Sequence, residues 1–172
     1  MKRIQGDLIP ESIENIGGGL WAVRFDIQKP EKGYDYYEKF FDREPTPEDI
    51  RPLLIEAIDI YDKSDRVNSF LIGETPMWLD KATRTGLAYT ITVEEALGNE
   101  TTSLWYEAKP PVEFTLPVEV MKQMLGAVEV YAKETYNITQ KHKAAVYEIE
   151  SIEELLGYDF GGGYPDKLQF NF

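Results

Sequence analysis

Paired carboxylates are the side chains of this sequence with the best-defined catalytic chemistry. Two Asp or Glu residues that face a cleft suffice for glycoside hydrolysis without a cofactor. Candidate pairs include Glu94 with Glu95, Glu153 with Glu154, and Asp59 with Asp62. Each pair lies among polar positions of a predicted helix, which favours a solvated helix surface. The alternative is that such a pair lines a cleft and that the chain is a small carboxylate-dependent hydrolase of glycan or peptidoglycan.

Other catalytic and cofactor chemistry finds little support in the residue types. His142 is the single histidine and lies between Lys141 and Lys143 on a predicted helix surface, where we expect a solvated side chain. The chain has no cysteine, so it lacks the several His or Cys ligands that a zinc site needs. The glycine clusters at 17–19 and 161–163 are not followed by Lys-Ser/Thr and are typical of turns. We predict no catalytic residue, no metal site and no cofactor.

An aromatic run over residues 34–41 indicates binding rather than catalysis. It offers more aromatic surface than one face of a hairpin can bury, and tyrosine is enriched at protein interfaces. The candidate interaction surface consists of Tyr34, Tyr36, Tyr37 and Phe41. The alternative is that the helix from Ile50 onward covers one face of this run while solvent wets the tyrosine hydroxyls.

The charge balance restricts the class of partner. The chain carries 31 acidic and 18 basic side chains, a formal net charge of -13. Such a field repels phosphate backbones and anionic membrane surfaces, so we expect neither nucleic acid nor membrane as a direct partner. A protein partner or self-association is expected, and a small-molecule ligand is left open. The acidity also permits a second alternative, an acidic decoy of a nucleic-acid-binding protein.

Cysteine usage and hydropathy indicate the compartment. The absence of cysteine suits a reducing environment. Residues 1–10 contain no apolar segment after Lys2 and Arg3, and no window of the chain approaches 18 apolar residues. We therefore expect a cytoplasmic protein.

The N-terminal part of the chain predicts a hairpin followed by a helix. An alternating run over 21–27 and the aromatic run over 34–41 are typical of paired antiparallel strands. Thr46 and Asp49 match a capped helix start, and apolar residues then recur at helical spacing over 50–61.

The charged run over 62–68 is the candidate boundary between two regions. We predict a hairpin-plus-helix region over 1–66 and a helical domain with hairpins over 67–172, with one shared core as the alternative. The alternating stretch 168–172 predicts a strand that joins one of the hairpins.

Helices and two small hairpins alternate in the second region. Hairpins are predicted over 70–79 and 101–116. A helix between them starts at a cap, Asp80, and ends at Gly98. A long helical stripe runs from Pro117 toward residue 150, with a possible break at 137–139. The predicted fold class is α+β.

Several short motifs occur together in the second region. They are residues 77–84 (MWLDKATR), residues 101–105 (TTSLW), residues 131–132 with 136–139, and residues 158–159 with 163–165. This combination resembles a domain-of-unknown-function family of phage and gut-bacterial prophage proteins, often encoded near tail or tail-fibre genes. The resemblance covers about residues 67–170. It implies no catalytic residues, and it implies, as the alternative, a cytoplasmic protein that becomes virion-associated after assembly.

The tryptophans of these motifs are expected to be structural. We predict that Trp78 and Trp105 pack the two hairpins against the helices and that Asp80 caps the helix after it. Together with the resemblance, the sequence predicts a non-enzymatic structural or assembly protein of a prophage tail region that acts through protein–protein contacts.

Overall fold

The computed structural model describes residues 2–78 and 80–172 and confirms the α+β class. Met1, predicted in the first region, and Leu79, predicted in the 70–79 hairpin, lie outside the described residues. Contacts group the chain into unit 1, residues 1–60 and 139–162, and unit 2, residues 61–138 and 163–172. The sequence had placed 61–66 with the first region and 139–162 with the second, whereas the contacts group 61–66 with unit 2 and 139–162 with unit 1. No described helix has the length and hydropathy needed to cross a membrane.

Unit 1 is built on a four-stranded antiparallel sheet. Its strands are β1 (Arg3–Gly6), β2 (Ile13–Gly17), β3 (Leu20–Gln28) and β4 (Tyr34–Phe41), in the order β1-β4-β3-β2. The predicted hairpin is therefore confirmed as the central pair, β3 and β4. The two outer strands were not predicted, because both are short and neither shows an apolar alternation.

Arginine side chains hold the two outer strands in place. Arg3 on β1 forms ion pairs with Asp26, at 2.5 Å, and Asp35, at 2.9 Å, and its guanidinium lies 4.6 Å from the centroid of the Tyr37 ring. Arg24 on β3 pairs with Glu14 on β2 and with Glu38 on β4, both at 2.7 Å. Ion pairs across the strands therefore link β1 and β2 to the central pair, although neither outer strand has an alternating apolar pattern.

Helices complete unit 1. Helix α1 (Pro47–Asp62) begins where Thr46 and Asp49 predicted it, and the backbone N–H of Thr46 donates to Asp49 Oδ2 at 2.8 Å. Pro52 lies within α1 without ending it. The short helix α4 (Ile152–Leu156) also belongs to this unit. Fully buried side chains of unit 1 include Phe25, Ile50, Leu54, Ile58, Val146 and Leu155.

Unit 2 contains two small sheets and two helices. Strands β5 (Ser69–Ile72) and β6 (Thr75–Trp78) form the first predicted hairpin, and β9 (Gln169–Phe170) pairs in parallel with β5. The second predicted hairpin is β7 (Thr101–Tyr106) with β8 (Val112–Pro117). Both hairpins and the strand in the tail are confirmed.

The helices of unit 2 follow from their caps and apolar stripes. Helix α2 (Lys81–Leu97) begins at Asp80, whose side chain accepts from the backbone N–H groups of Ala82 and Thr83, and ends at Gly98 in the left-handed conformation. Helix α3 (Val118–Glu148) is continuous, so the possible break at 137–139 does not occur. Burial of Thr139 provides the packing that overrides its weak helix propensity. The first 21 residues of α3 belong to unit 2 and the remainder to unit 1.

One hydrophobic core holds unit 2 together. Its buried members come from both hairpins and both helices: Phe70, Met77, Ile91, Leu116, Met121 and Val128 are examples. Leu104 and Tyr106 of β7 pack against this core while staying half-buried. This core therefore packs both β6 and β7 against helices α2 and α3.

Candidate functional site

The four aromatic residues predicted as an interaction surface lie in strand β4 of unit 1. Tyr36 and Tyr37 are buried, with 9% and 6% of their surface exposed, and Tyr34 and Phe41 are half-buried. The Tyr37 ring packs against Phe25 with the centroids 5.4 Å apart. The interaction role of this run stays a prediction. Its burial leads us to look for a docking surface elsewhere.

The two tryptophans of unit 2 are more exposed than the sequence predicted. Trp78 keeps 49% and Trp105 keeps 56% of its surface exposed, so neither is the buried packing residue we expected. Strand alternation explains both positions: Met77 beside Trp78 is buried, and Leu104 and Tyr106 on either side of Trp105 face the core. The same alternation was readable in the sequence and would have placed both indoles outside the core.

Both tryptophans line one cleft of about 510 Å³ in unit 2. Strand β6 contributes Pro76, Met77 and Trp78, and strand β7 contributes Leu104, Trp105 and Tyr106. Buried or half-buried side chains complete the apolar lining: Phe70, Leu87, Leu125 and Val128. A concave, mainly apolar cleft with a few polar groups is the usual form of a binding site.

The strands that line the cleft are both edge strands. Successive side chains of a strand point to opposite faces, so three consecutive lining residues bring both faces of the strand to the cleft. Within residues 2–78 and 80–172, β6 pairs only with β5, and β7 pairs only with β8. Each strand therefore has one edge without a paired strand, and residues of both strands line the same cleft.

The two edges differ in their capacity to pair. Pro76 has no backbone N–H, so β6 lacks one of the donors that a new strand would use. Strand β7 contains no proline and keeps a full set of donors and acceptors. Of the two edges, β7 is the better template for an added strand.

Charged groups line the same cleft. Arg84 of α2 donates from Nε to the carboxylate of Glu129 on α3 at 2.7 Å. Asp65 and Glu107 line the cleft as exposed carboxylates. Within the described chain, no basic side chain forms an ion pair with either of them. Lys167 Nζ donates to the backbone carbonyl of Asp65 at 2.6 Å, which places a positive charge beside this residue, whereas no such contact is found for Glu107 within the described chain.

Helix α2, which carries Arg84 and Leu87, is positioned by its N-terminal cap. Asp80 Oδ1 accepts from the backbone N–H groups of Ala82 at 2.9 Å and Thr83 at 3.0 Å, and Oδ2 accepts from the Thr83 hydroxyl at 2.6 Å. These bonds, the one from the Thr83 hydroxyl first, hold the pKa of Asp80 below its ordinary value. The carboxylate therefore stays ionised at the positive end of the helix, which stabilises the first turn.

A buried tyrosine lies in the core next to this site. Tyr131 of α3 belongs to the buried cluster of unit 2, and its hydroxyl has no hydrogen-bond partner among the described residues. Burial, followed by the field of Asp166, raises the pKa of this phenol. Tyr131 does not line the cleft, so we assign it a packing role.

The predicted carboxylate pairs lie outside the cleft. Glu94 accepts from the Asn99 amide at 2.5 Å, Glu95 accepts from Lys122 at 2.6 Å, and Asp59 forms an ion pair with Lys143. The other three carboxylates are Asp62, which is half-buried, and Glu153 and Glu154, which are exposed on α4. None of the three pairs contributes to the Trp-lined cleft.

His142 is held more firmly than a solvated side chain. Its Nε2 lies 2.9 Å from the carbonyl oxygen of Gly162, and its Nδ1 lies 2.8 Å from the hydroxyl of Tyr158. Because a carbonyl only accepts, Nε2 carries the proton and donates. His142 therefore joins α3 to the segment after α4, which corrects the expectation of a free surface histidine. Across the described ranges, no group of three or more His, Asp or Glu side chains is placed to hold a metal ion.

Comparison with known proteins gave no relative. No family model, no curated protein and no solved structure matches this chain. Function is therefore inferred from the geometry and charge of the cleft.

Proposed function

We propose that this chain is a non-enzymatic binding protein that acts through protein–protein contacts, and that the cleft of unit 2 docks an extended segment of a partner protein. The segment adds as a strand along β7, and its side chains enter the cleft between Trp78 and Trp105. One observation carries this proposal: three consecutive residues from each of two edge strands line a single apolar cleft.

The physical basis is strand addition combined with aromatic anchoring. Main-chain hydrogen bonds to a free edge supply affinity, and pockets for alternate side chains supply specificity. Tryptophan is among the residues that contribute most binding energy when an interface covers it. Two half-exposed indoles beside a free edge thus provide both parts of such a site.

The setting proposed for this contact is assembly of a prophage tail region. The motifs at 77–84 and 101–105, which support the resemblance to the prophage family, are the segments that carry Trp78 and Trp105. A docking role for the two indoles gives these motifs a function beyond the fold. The partner is then a protein of the same assembly.

A displayed library of random peptides tests the docking proposal without knowledge of the partner. We expect the wild-type chain to select peptides whose binding is lost, by about thirtyfold or more, in the Trp78→Ala/Trp105→Ala double variant. Tyr89→Ala is the matched control, since Tyr89 is an aromatic residue of the same unit, is 72% exposed and does not line the cleft. If every selected peptide binds the double variant as tightly as wild type, the proposal is wrong.

A carboxylate-dependent glycan hydrolase is the second candidate. One observation favours it: Asp65 and Glu107 line the same cleft as two tryptophans, and indoles also stack on sugar rings. Catalytic acids of glycosidases are typically enclosed by apolar groups, whereas both of these side chains are exposed. Release of soluble sugar from purified peptidoglycan by wild type, abolished in Glu107→Gln, would favour this candidate over docking.

A further inference from the structure

The charged side chains that line the cleft indicate the kind of ligand that it favours. Asp65 and Glu107 are exposed carboxylates that form no side-chain ion pair within the described residues. Lys167 Nζ donates to the backbone carbonyl of Asp65 at 2.6 Å, so Glu107 is the carboxylate of the two without a cation bonded to its residue. The basic residue of the lining, Arg84, is already paired with Glu129 at 2.7 Å. The lining therefore presents excess negative charge beside an apolar surface, within a chain whose formal net charge is -13.

The aromatic groups of the lining favour the same kind of ligand. The face of an indole is negative and attracts a cation that lies over it, and arginine and lysine side chains bind tryptophan faces in this way. Trp78 and Trp105 are both about half exposed, and Tyr106 adds a third ring. A long basic side chain can lay its aliphatic stem on these rings and its charged end near a carboxylate.

We propose that the segment docked along β7 carries an arginine or lysine whose side chain enters the cleft between Trp78 and Trp105 and pairs with Glu107. This inference rests on the proposed function, since it names the chemistry of the partner for the same cleft. The expected ligand of the cleft is therefore a basic extended segment and not an apolar or acidic one.

The peptide selection separates the two proposals. Peptides that depend on Trp78 and Trp105 should be enriched in Arg and Lys relative to the unselected library. For a selected peptide, replacing its arginine by citrulline, which keeps the shape and removes the charge, should weaken binding about fivefold or more. Glu107→Gln should weaken the arginine peptide about threefold and leave the citrulline peptide unchanged. Asp65→Asn should have a smaller effect on the arginine peptide, because Lys167 already lies beside Asp65.

Matched controls distinguish local charge from the overall field. Glu74 is exposed in the β5–β6 turn of the same unit and does not line the cleft, so Glu74→Gln should leave binding unchanged. Both isosteric variants change exposed side chains, so their folded state is checked directly by circular dichroism. Trp-dependent peptides that lack basic residues would overturn this inference and leave the docking proposal standing. The absence of any Trp-dependent peptide would overturn both.

Discussion

Arg84 on α2 and Glu129 on α3 form an ion pair at 2.7 Å beside the Trp-lined cleft of unit 2. Arg84 is 17% exposed, whereas Glu129 is 52% exposed. The pair joins the two helices that carry Leu87, Leu125 and Val128 to the cleft. It also neutralises the positive charge that would otherwise oppose a basic ligand.

Breaking this pair should affect binding more than folding. We expect Glu129→Gln to lower the free energy of unfolding by less than about 1 kcal/mol, because the carboxylate is half exposed. The uncompensated guanidinium should weaken binding of a basic peptide about threefold. Urea unfolding and peptide titration measure the two effects. Glu95→Gln is the control, since Glu95 pairs with Lys122 between the same helices but away from the cleft.

The cap of α2 should contribute measurably to the stability of unit 2. Asp80→Ala removes the acceptor of two backbone N–H groups and should cost about 1 kcal/mol. Asp80→Asn keeps an oxygen acceptor at the same position and should cost only a few tenths of that amount. Urea unfolding of the two variants compares them. If both variants lose the same free energy of unfolding, the charge of Asp80 and not its hydrogen bonds stabilises the helix.

The elements of unit 2 were predictable because their signals are local. Gly73 and Gly98 mark a turn and a helix end, Asp80 marks a helix start, and alternation marks the hairpin strands. Strands β1 and β2 gave no such signal, since they depend on ion pairs of Arg3 and Arg24 with residues far along the chain. Long-range charge pairing has no sequence period from which to predict it.

The candidate site was missed for a different reason. The sequence placed Trp78 and Trp105 against the helices because large aromatic residues dominate protein cores. Trp78 alternates with Met77, and Trp105 alternates with Leu104, along their strands. This alternation predicts that both indoles lie on the face opposite to the core. That both indoles line the same cleft depends on the packing of two hairpins on α2 and α3, which no local pattern contains.

The cap of α1 should make unit 1 sensitive to acid. The hydrogen bonds from Arg43 and from the backbone of Thr46 lower the pKa of Asp49 from 3.8 to about 2. Between these values the unfolded chain binds more protons than the folded one, so stability falls as the pH drops from about 4 toward about 2. For this partly exposed group the loss should be about 1 kcal/mol.

Asp49→Asn isolates this contribution. Urea midpoints of wild type and variant at about pH 6 and about pH 2.5 should differ more at the higher pH, because the stabilisation by the Asp49 charge is complete there and is partly lost as the pH approaches its folded-state pKa of about 2. Asp42→Asn removes a nearby exposed carboxylate and should change little. A variant difference that is the same at both pH values would contradict the role of the Asp49 charge.

The strand in the tail should stabilise the β5–β6 sheet through an aromatic contact. The rings of Phe170 and Phe70 meet edge to face with the centroids 5.9 Å apart. Phe170→Ala should lower the free energy of unfolding by about 2 kcal/mol, since the side chain is half-buried against the core. Tyr89→Ala, at an aromatic position of the same unit that is 72% exposed, should cost about 0.5 kcal/mol or less and serves as the control. Similar losses in the two variants would contradict the specific Phe70 contact.

Strand addition along β7 is tested most directly by nuclear magnetic resonance of the chain with a selected peptide bound. We predict intermolecular backbone contacts between the peptide and β7 (Thr101–Tyr106), slowed amide exchange at the edge of β7 away from β8, and shifted indole signals of Trp78 and Trp105. Peptide contacts confined to the sheet of unit 1, or binding that leaves β7 exchange unchanged, would contradict it.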